Sequence, residues 1–294
     1  MDVERFLKYL KFEKRYSPHT IDAYRTDLRQ FSAYCSTQYE IQESKAGSQV
    51  VRSWVVQLIN DGIDPRSVNR KLSALKSFYR FLLKGGVIAS SPMRKVIAPK
   101  TSKKLPQVID EKQLSRLFDE VLSGEGYEGA RDLMMLELLY ATGMRRSELV
   151  GLDVSDISVS NMTIRVMGKG RKERLIPFGV GLLSRLNTYI SARQSTFVDS
   201  VEQAFLLTSK GKRVYPRLVH QIVTKSLSLV STAKKKSPHV LRHSFATHLL
   251  NHGAELSAIR DLLGHAGLAA TQVYTHTSVE KLKEVHRRAH PKAG

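Results

Sequence analysis

Cysteine is almost missing from this sequence: Cys35 stands alone among 294 residues. One thiol cannot close an intramolecular disulfide, and a zinc site built on several cysteines is excluded. Acidic side chains are scarce as well, 27 against 47 lysines and arginines, which leaves a formal net charge of +20. No uncharged apolar run reaches the ~18 residues of a membrane span. The N-terminus, MDVERFLKYLKFEKRYS, mixes charge into every turn and so has no secretory apolar core. A cytoplasmic protein with no membrane partner is expected. What is present is enough for packed cores. Hydrophobic residues make up 41% of the chain, which excludes wholesale disorder, and 294 residues suit two domains.

The charge points to a polyanionic partner, because surface Lys and Arg release counterions when they neutralise phosphates. Ribosomal, membrane-surface and RNA-binding proteins can be equally basic, so charge alone does not imply chemistry. Its distribution says more. Residues 1–100 hold 18 basic and 9 acidic side chains, and residues 101–294 hold 29 and 18. Both halves are therefore basic, as two bodies gripping a duplex from opposite sides would be. The histidines, in contrast, are lopsided: nine of ten lie between His220 and His290. The C-terminal quarter is chemically specialised.

The first ~90 residues read as helical. Ser17-Pro18 is a helix-start signal, followed by Ile21, Tyr24, Leu28, Phe31 and Tyr34 on one face. A shorter helix spans about Val50 to Asn60. Another runs from about Ser67 to Lys84, with Val68, Leu72, Leu75, Tyr79 and Leu82 along one side and Lys71, Lys76, Arg80 and Lys84 on the others. Residues 89–107 carry three prolines, five Lys/Arg and no acid, the pattern of an extended basic linker. The expected organisation is an N-terminal basic helical domain over 1–88, this linker over 89–107, and a second domain over 108–294. In the second domain, helices are expected over 111–122, 130–142, 145–152, 181–192, 215–230, 238–251, 256–263 and 278–288. Two short strands, 162–167 and 173–178, flank a Gly168-Lys169-Gly170-Arg171 turn and read as a hairpin. The fold class is mainly α: a helical bundle plus an α-rich domain with a small antiparallel sheet.

Three segments carry chemistry: ATGMRRSEL from Ala141, HVLRH from His239, and LLGH ending at His265, with Tyr274 nine residues further on. His239 and Arg242 share a helix face at i, i+3. His248 sits among Leu241, Phe245 and Leu249 and reads as a packed histidine. His239/His243 and His248/His252 have the i, i+4 spacing of helical metal ligands. With no Glu between them, no cysteine nearby and a basic setting that repels cations, no metal is expected. Arginines beside His and Tyr suit a phosphodiester better. Guanidinium forks match the non-bridging oxygens, and a tyrosine nucleophile stores the bond energy in an aryl phosphodiester, so re-ligation needs no ATP. A phenol ordinarily titrates near pH ~10, so this one needs a base or electrostatic activation.

These motifs resemble the tyrosine recombinase (phage-integrase) family, and most of all its bacterial Xer branch, which resolves chromosome dimers. ATGMRRSELVGL is similar to the family's first arginine box, SPHVLRHSFATHLL to its second, LLGHAGLAATQVYTH to its nucleophile box and VMGKGRKERLIPF to its lysine hairpin. SPHTIDAYRTDLRQF and SVNRKLSALKSFYRFL resemble its N-terminal SAM-like core-binding domain. Four motifs in order make this a specific likeness over essentially the whole chain.

The resemblance implies roles residue by residue. Arg145, rather than the adjacent Arg146, and Arg242 bind the scissile phosphate. Lys169, which alone would read as a solvated hairpin lysine with Lys172 as competitor, protonates the departing 5′-oxygen. His239 accepts the tyrosine proton, His265 hydrogen-bonds the phosphate, and Tyr274 is the nucleophile. Glu148 supports the Arg145 loop. The resemblance further implies no cofactor, double-stranded DNA as substrate, a nucleoid-associated tetramer on DNA, and a paralogous recombinase and DNA translocase as candidate partners. The C-terminal helix, with Val279, Leu282 and Val285 in a narrow stripe, docks on its own chain or on a neighbour. A mobile-element integrase or inversion-switch recombinase would share these boxes. A type IB topoisomerase would share the chemistry but would relax supercoils without site preference. A DNA-binding architectural protein without catalysis is the reading from a different class.

Overall fold

In a computed structural model the chain is described over residues 2–101, 107–122, 125–168, 173–198, 201–264 and 276–291. It divides into two compact units, Met1–Lys104 and Leu105–Gly294.

The first unit is built from four helices: α1 (Asp2–Phe12), α2 (Pro18–Tyr39), α3 (Ser48–Asn60) and α4 (Pro65–Lys84). Two of them start alike. Ser17 and Asp64 each accept a backbone N–H two or three residues on, and Pro18 and Pro65 occupy the first helical position, where a missing N–H costs nothing. The core is aromatic: Phe6, Phe31, Phe78 and Tyr79 are sealed from solvent, and the Trp54 ring packs at a tilt against Phe31, with centroids 4.9 Å apart. Cys35 is buried among them, and burial pushes its thiol up to about 12, which makes it inert. One expectation fails on α4. Lys71 does not decorate the exterior; it is buried and paired at 3.1 Å with the fully buried carboxylate of Asp27 on α2. Arg70 binds the other oxygen of Asp27, and Lys71 also donates to Gln30. A buried charge survives only when paired and hydrogen-bonded, and two helices share this pairing. The segment 89–107 also differs from a wholly extended linker. Ser91 caps a 3₁₀ turn, Pro92–Lys95, and Met93 and Val96 pack on the helical core.

The second unit holds α5 (Glu111–Arg116), which continues into a π turn (Leu117–Val121), then α6 (Gly126–Thr142) and α7 (Arg146–Val150). Strands β1 (Ile157–Ser158), β2 (Thr163–Met167) and β3 (Glu173–Pro177) form an antiparallel sheet in the order β1-β2-β3. Five helices follow: α8 (Val180–Thr196), α9 (Pro216–Val230), α10 (Pro238–Asn251), α11 (Leu256–Leu263) and α12 (His276–Ala289). Helix α6 is apolar nearly all round and is the buried axis on which α8 and α10 pack. In the sheet, Ile164 opposes Ile176 and Val166 opposes Arg174. All four lie on the buried face, so period-2 alternation carries an arginine into the core. Helix α12 lies against its own chain. Leu282 and Ala289 join the core of the second unit, and the buried His286 Nε2 donates to the carbonyl of Ala141 at 2.9 Å. His248 is a packed histidine: its Nδ1 meets the Tyr140 hydroxyl at 2.9 Å, and burial lowers its pKa.

Candidate active site

Two helices end next to each other, and both end on glycine. Gly143 closes α6 at φ +58° and Gly264 closes α11 at φ +62°. The left-handed conformation is open to glycine without penalty. At Gly143 space forbids anything larger as well, since a Cβ would lie 2.4 Å from the Phe245 ring. Both ends leave carbonyls facing arginines. Arg242, on α10, donates to Gly143 O and, at 2.7 Å, to Leu263 O. Arg145, at the N-cap of α7, donates to Gly264 O at 3.1 Å. Arg174, on β3, donates through Nε to Leu262 O at 3.0 Å. Three consecutive carbonyls, 262, 263 and 264, are thus taken by three different arginines. The negative end of a helix favours such neighbours.

Glu148 holds this cluster together. One oxygen accepts from the Arg145 backbone N–H at 2.6 Å, as the N3 residue of a capping box does, and the other from Arg145 Nη1 at 2.8 Å. Arg174 grips both oxygens at 2.8 and 2.9 Å, a bidentate fork. Burial alone would raise the Glu148 carboxyl; the charges and hydrogen bonds of Arg174 and Arg145 outweigh it and hold the pKa below the usual value. Arg242 is pushed down to about 10, first by burial and then by the like charge of Arg145. It therefore remains protonated at neutral pH.

The electrostatic balance of this cluster is uneven: three guanidiniums face one carboxylate. Each guanidinium has five N–H donors, and Arg145 and Arg242 each direct only some of them to the carbonyls and carboxylate named above. Arg145 is also one-third exposed. Such a place favours a small oxyanion reached from solvent. Arg146, by contrast, is exposed and takes no part in the cluster.

The geometry therefore brings Arg145 and Arg242 together. His239 lies one turn before Arg242 at the start of α10 and is exposed. Lys169, His265 and Tyr274 lie outside the described residues. The sequence reading missed Arg174. Its signal was available: in the strand ERLIP, position 174 shares the inward phase with Ile176. Among the described residues, no group of three or more His, Cys, Asp or Glu side chains is placed to hold a metal ion. No helix among them is long and apolar enough to cross a membrane.

Comparison with known proteins agrees along the whole chain. Residues 107–281 match the phage integrase family, and residues 3–86 match the N-terminal SAM-like domain of phage integrases. A tyrosine recombinase XerC of Pelobacter propionicus is 40% identical over 295 residues, covering 99% of this chain and 95% of that protein. The tyrosine recombinase XerC of Bacillus subtilis is 37% identical over 294 residues, covering 99% and 96%. Among solved structures, XerH site-specific recombinase bound to its palindromic difH substrate matches with a TM-score of 0.71 at 20% identity, covering 97% of this chain and 84% of that one. A lambda integrase dimer bound to a COC′ core site matches at 0.68 and 14%, covering 90% and 94%. These two likenesses are of fold.

Proposed function

This chain belongs to the phage integrase family, and on that premise we propose that it is a site-specific tyrosine recombinase, cutting and rejoining DNA through a 3′-phosphotyrosyl intermediate. The observation that carries the reading is the convergence of Arg145 and Arg242 at the end of α11, ten residues before Tyr274 in the chain.

The chemistry follows from the groups in hand. Arg145 and Arg242 bind the non-bridging oxygens of the scissile phosphate and stabilise the charge that builds on them as phosphorus becomes five-coordinate. His265 adds a hydrogen bond. The Tyr274 oxygen attacks phosphorus, its proton passing to His239. The 5′-oxygen leaves with a proton from Lys169. One phosphodiester is exchanged for another, so no energy source is consumed. The 5′-hydroxyl of a partner duplex then attacks the phosphotyrosyl bond and releases Tyr274. That exchange makes a Holliday junction, and a second round resolves it.

Residues 1–88 serve as the DNA-clamp domain, 108–294 as the catalytic domain and 89–107 as the basic connection. Double-stranded DNA is the substrate, and a tetramer is the working assembly, alone or with a paralogous recombinase and a DNA translocase. Chromosome-dimer resolution in the cytoplasm is the duty that fits best with relatives named XerC. The test is covalent capture on a nicked suicide duplex carrying the chromosomal resolution site. Wild type should become linked to the DNA 3′ end and Tyr274→Phe should not; an adduct with Tyr274→Phe would sink the assignment.

A further inference from the structure

We infer that Arg174 is a positioning residue for strand cleavage: it fixes Glu148 and the last turn of α11, and through Glu148 sets the Arg145 guanidinium against the scissile phosphate. The inference rests on the reading of Arg145 as a phosphate ligand and goes beyond it.

Four observations carry it. Arg174 is 4% exposed, so it does not meet solvent or DNA as an ordinary basic residue does. Its fork takes both oxygens of Glu148, the same two oxygens that hold the Arg145 backbone N–H and Nη1. Its Nε–H goes to Leu262 O, two residues before the carbonyl that holds Arg145 Nη2. A Cβ on Gly264 would stand 3.0 to 3.2 Å from Arg174 Cδ, Nε and Nη1, so the arginine lies packed against the helix end. Arg145 is thus held from two sides, by Glu148 and by Gly264, and Arg174 touches both supports.

Charge explains why this must be an arginine. A single buried carboxylate beside Arg145 would cancel the positive charge that a phosphate needs. A second guanidinium on the same carboxylate restores the excess while leaving the Arg145 fork partly free. Lysine has the charge, but one ammonium cannot span both oxygens of Glu148 and also reach Leu262 O. Arg174 also lies in the second position of β3, five residues after Lys169 in the chain. Strand β3 is therefore pinned to the arginine cluster.

The experiment compares Arg174→Ala and Arg174→Lys with wild type and Arg145→Ala in the full-length protein. Duplex binding, thermal melting and the single-turnover rate of covalent capture on a nicked suicide duplex are measured. Capture is repeated with a methylphosphonate at the scissile position, which lacks the charge the arginines must neutralise. Both Arg174 variants are expected to slow capture on phosphate by about a hundredfold, with duplex binding changed less than about threefold. On methylphosphonate the deficit should shrink for both Arg174→Lys and Arg145→Ala. Capture at the wild-type rate by Arg174→Lys overturns the inference. So does a deficit equal on both substrates, which marks a role in stability alone. If Arg174→Ala does not fold, Arg174→Lys, which keeps a cation beside Glu148, is judged by the same criteria. If Arg145→Ala cuts phosphate normally, the reading of Arg145 itself falls, a result distinct from a failure confined to Arg174.

Discussion

Substituting alanine for Gly143 should damage the second unit far more than the same change at Gly253. Both glycines take the left-handed conformation at a helix C-terminus: Gly143 caps α6 at φ +58°, and Gly253 follows His252, the cap of α10, at φ +80°. At either site an alanine incurs about 1 kcal/mol of backbone strain. The surroundings differ. At Gly253 an added Cβ meets nothing within 4 Å, whereas at Gly143 it would lie 2.4 and 2.8 Å from two Phe245 ring carbons and 2.9 Å from Leu263 Cδ2. Phe245 is fully buried and Leu263 nearly so, so neither can swing into solvent. Forcing a methyl group into such a core costs about 1–3 kcal/mol more. Gly143→Ala should therefore lose about 2–4 kcal/mol and Gly253→Ala about 1. For a unit of this size that corresponds to roughly 4–16 °C and 2–4 °C in Tm. Far-UV circular dichroism of the full chain follows the loss, and fluorescence of Trp54, the single tryptophan and a residue of the first unit, supplies an internal reference. Gly143→Ala should also slow DNA cleavage, since the displaced carbonyl is the one that holds Arg242. Equal losses at the two glycines would refute the packing argument.

Asp27→Asn should destabilise the first unit by about 3–5 kcal/mol, because it strands the buried Lys71 without a counter-charge; a lowered denaturation midpoint of Trp54 fluorescence checks it. Glu148→Gln should change the pH dependence of stability. In the folded protein the Glu148 carboxyl titrates below its ordinary value of 4.5. Its ionised form therefore contributes stability fully above about pH 4.5 and progressively less as the pH falls through the folded value. Melting curves from about pH 3 to 7 should show wild type well above the variant at neutral pH, with the gap closing below about 4.5.

Most helices were legible because their apolar residues recur every three or four positions, and three of them, α2, α4 and α10, also start on Ser-Pro or Asp-Pro. The bounds of α10 and α11 were read from sequence alone. Short or irregular elements were not. Strand β1 has two residues, too few for any period, and the continuous helix expected over 111–122 changes to a π turn at Leu117, a one-residue phase slip that leaves no mark in composition. The buried ion groups were hidden for a different reason. Lys71 and Asp27 lie 44 residues apart, and only helix packing reveals that each needs the other. At the candidate site, the pairing of Arg145 with Glu148 could be read from an i, i+3 spacing. Arg174 could not be recognised so easily, because its partners come from α7 and α11, 26 and 88 residues away.

The three carbonyls at the end of α11 bear on how an inactive version of this protein should be made. Deleting one of the arginines would silence the proposed chemistry but would not leave a passive DNA-binding bait. Here Arg145, Arg174 and Arg242 also terminate a helix, each satisfying a different backbone oxygen. Their removal leaves acceptors facing a void, and the bait would differ from the native protein in shape as well as in reactivity. If Tyr274 is the nucleophile, as proposed, removing its phenolic oxygen and leaving all three arginines in place is the cleaner way to arrest the protein before chemistry.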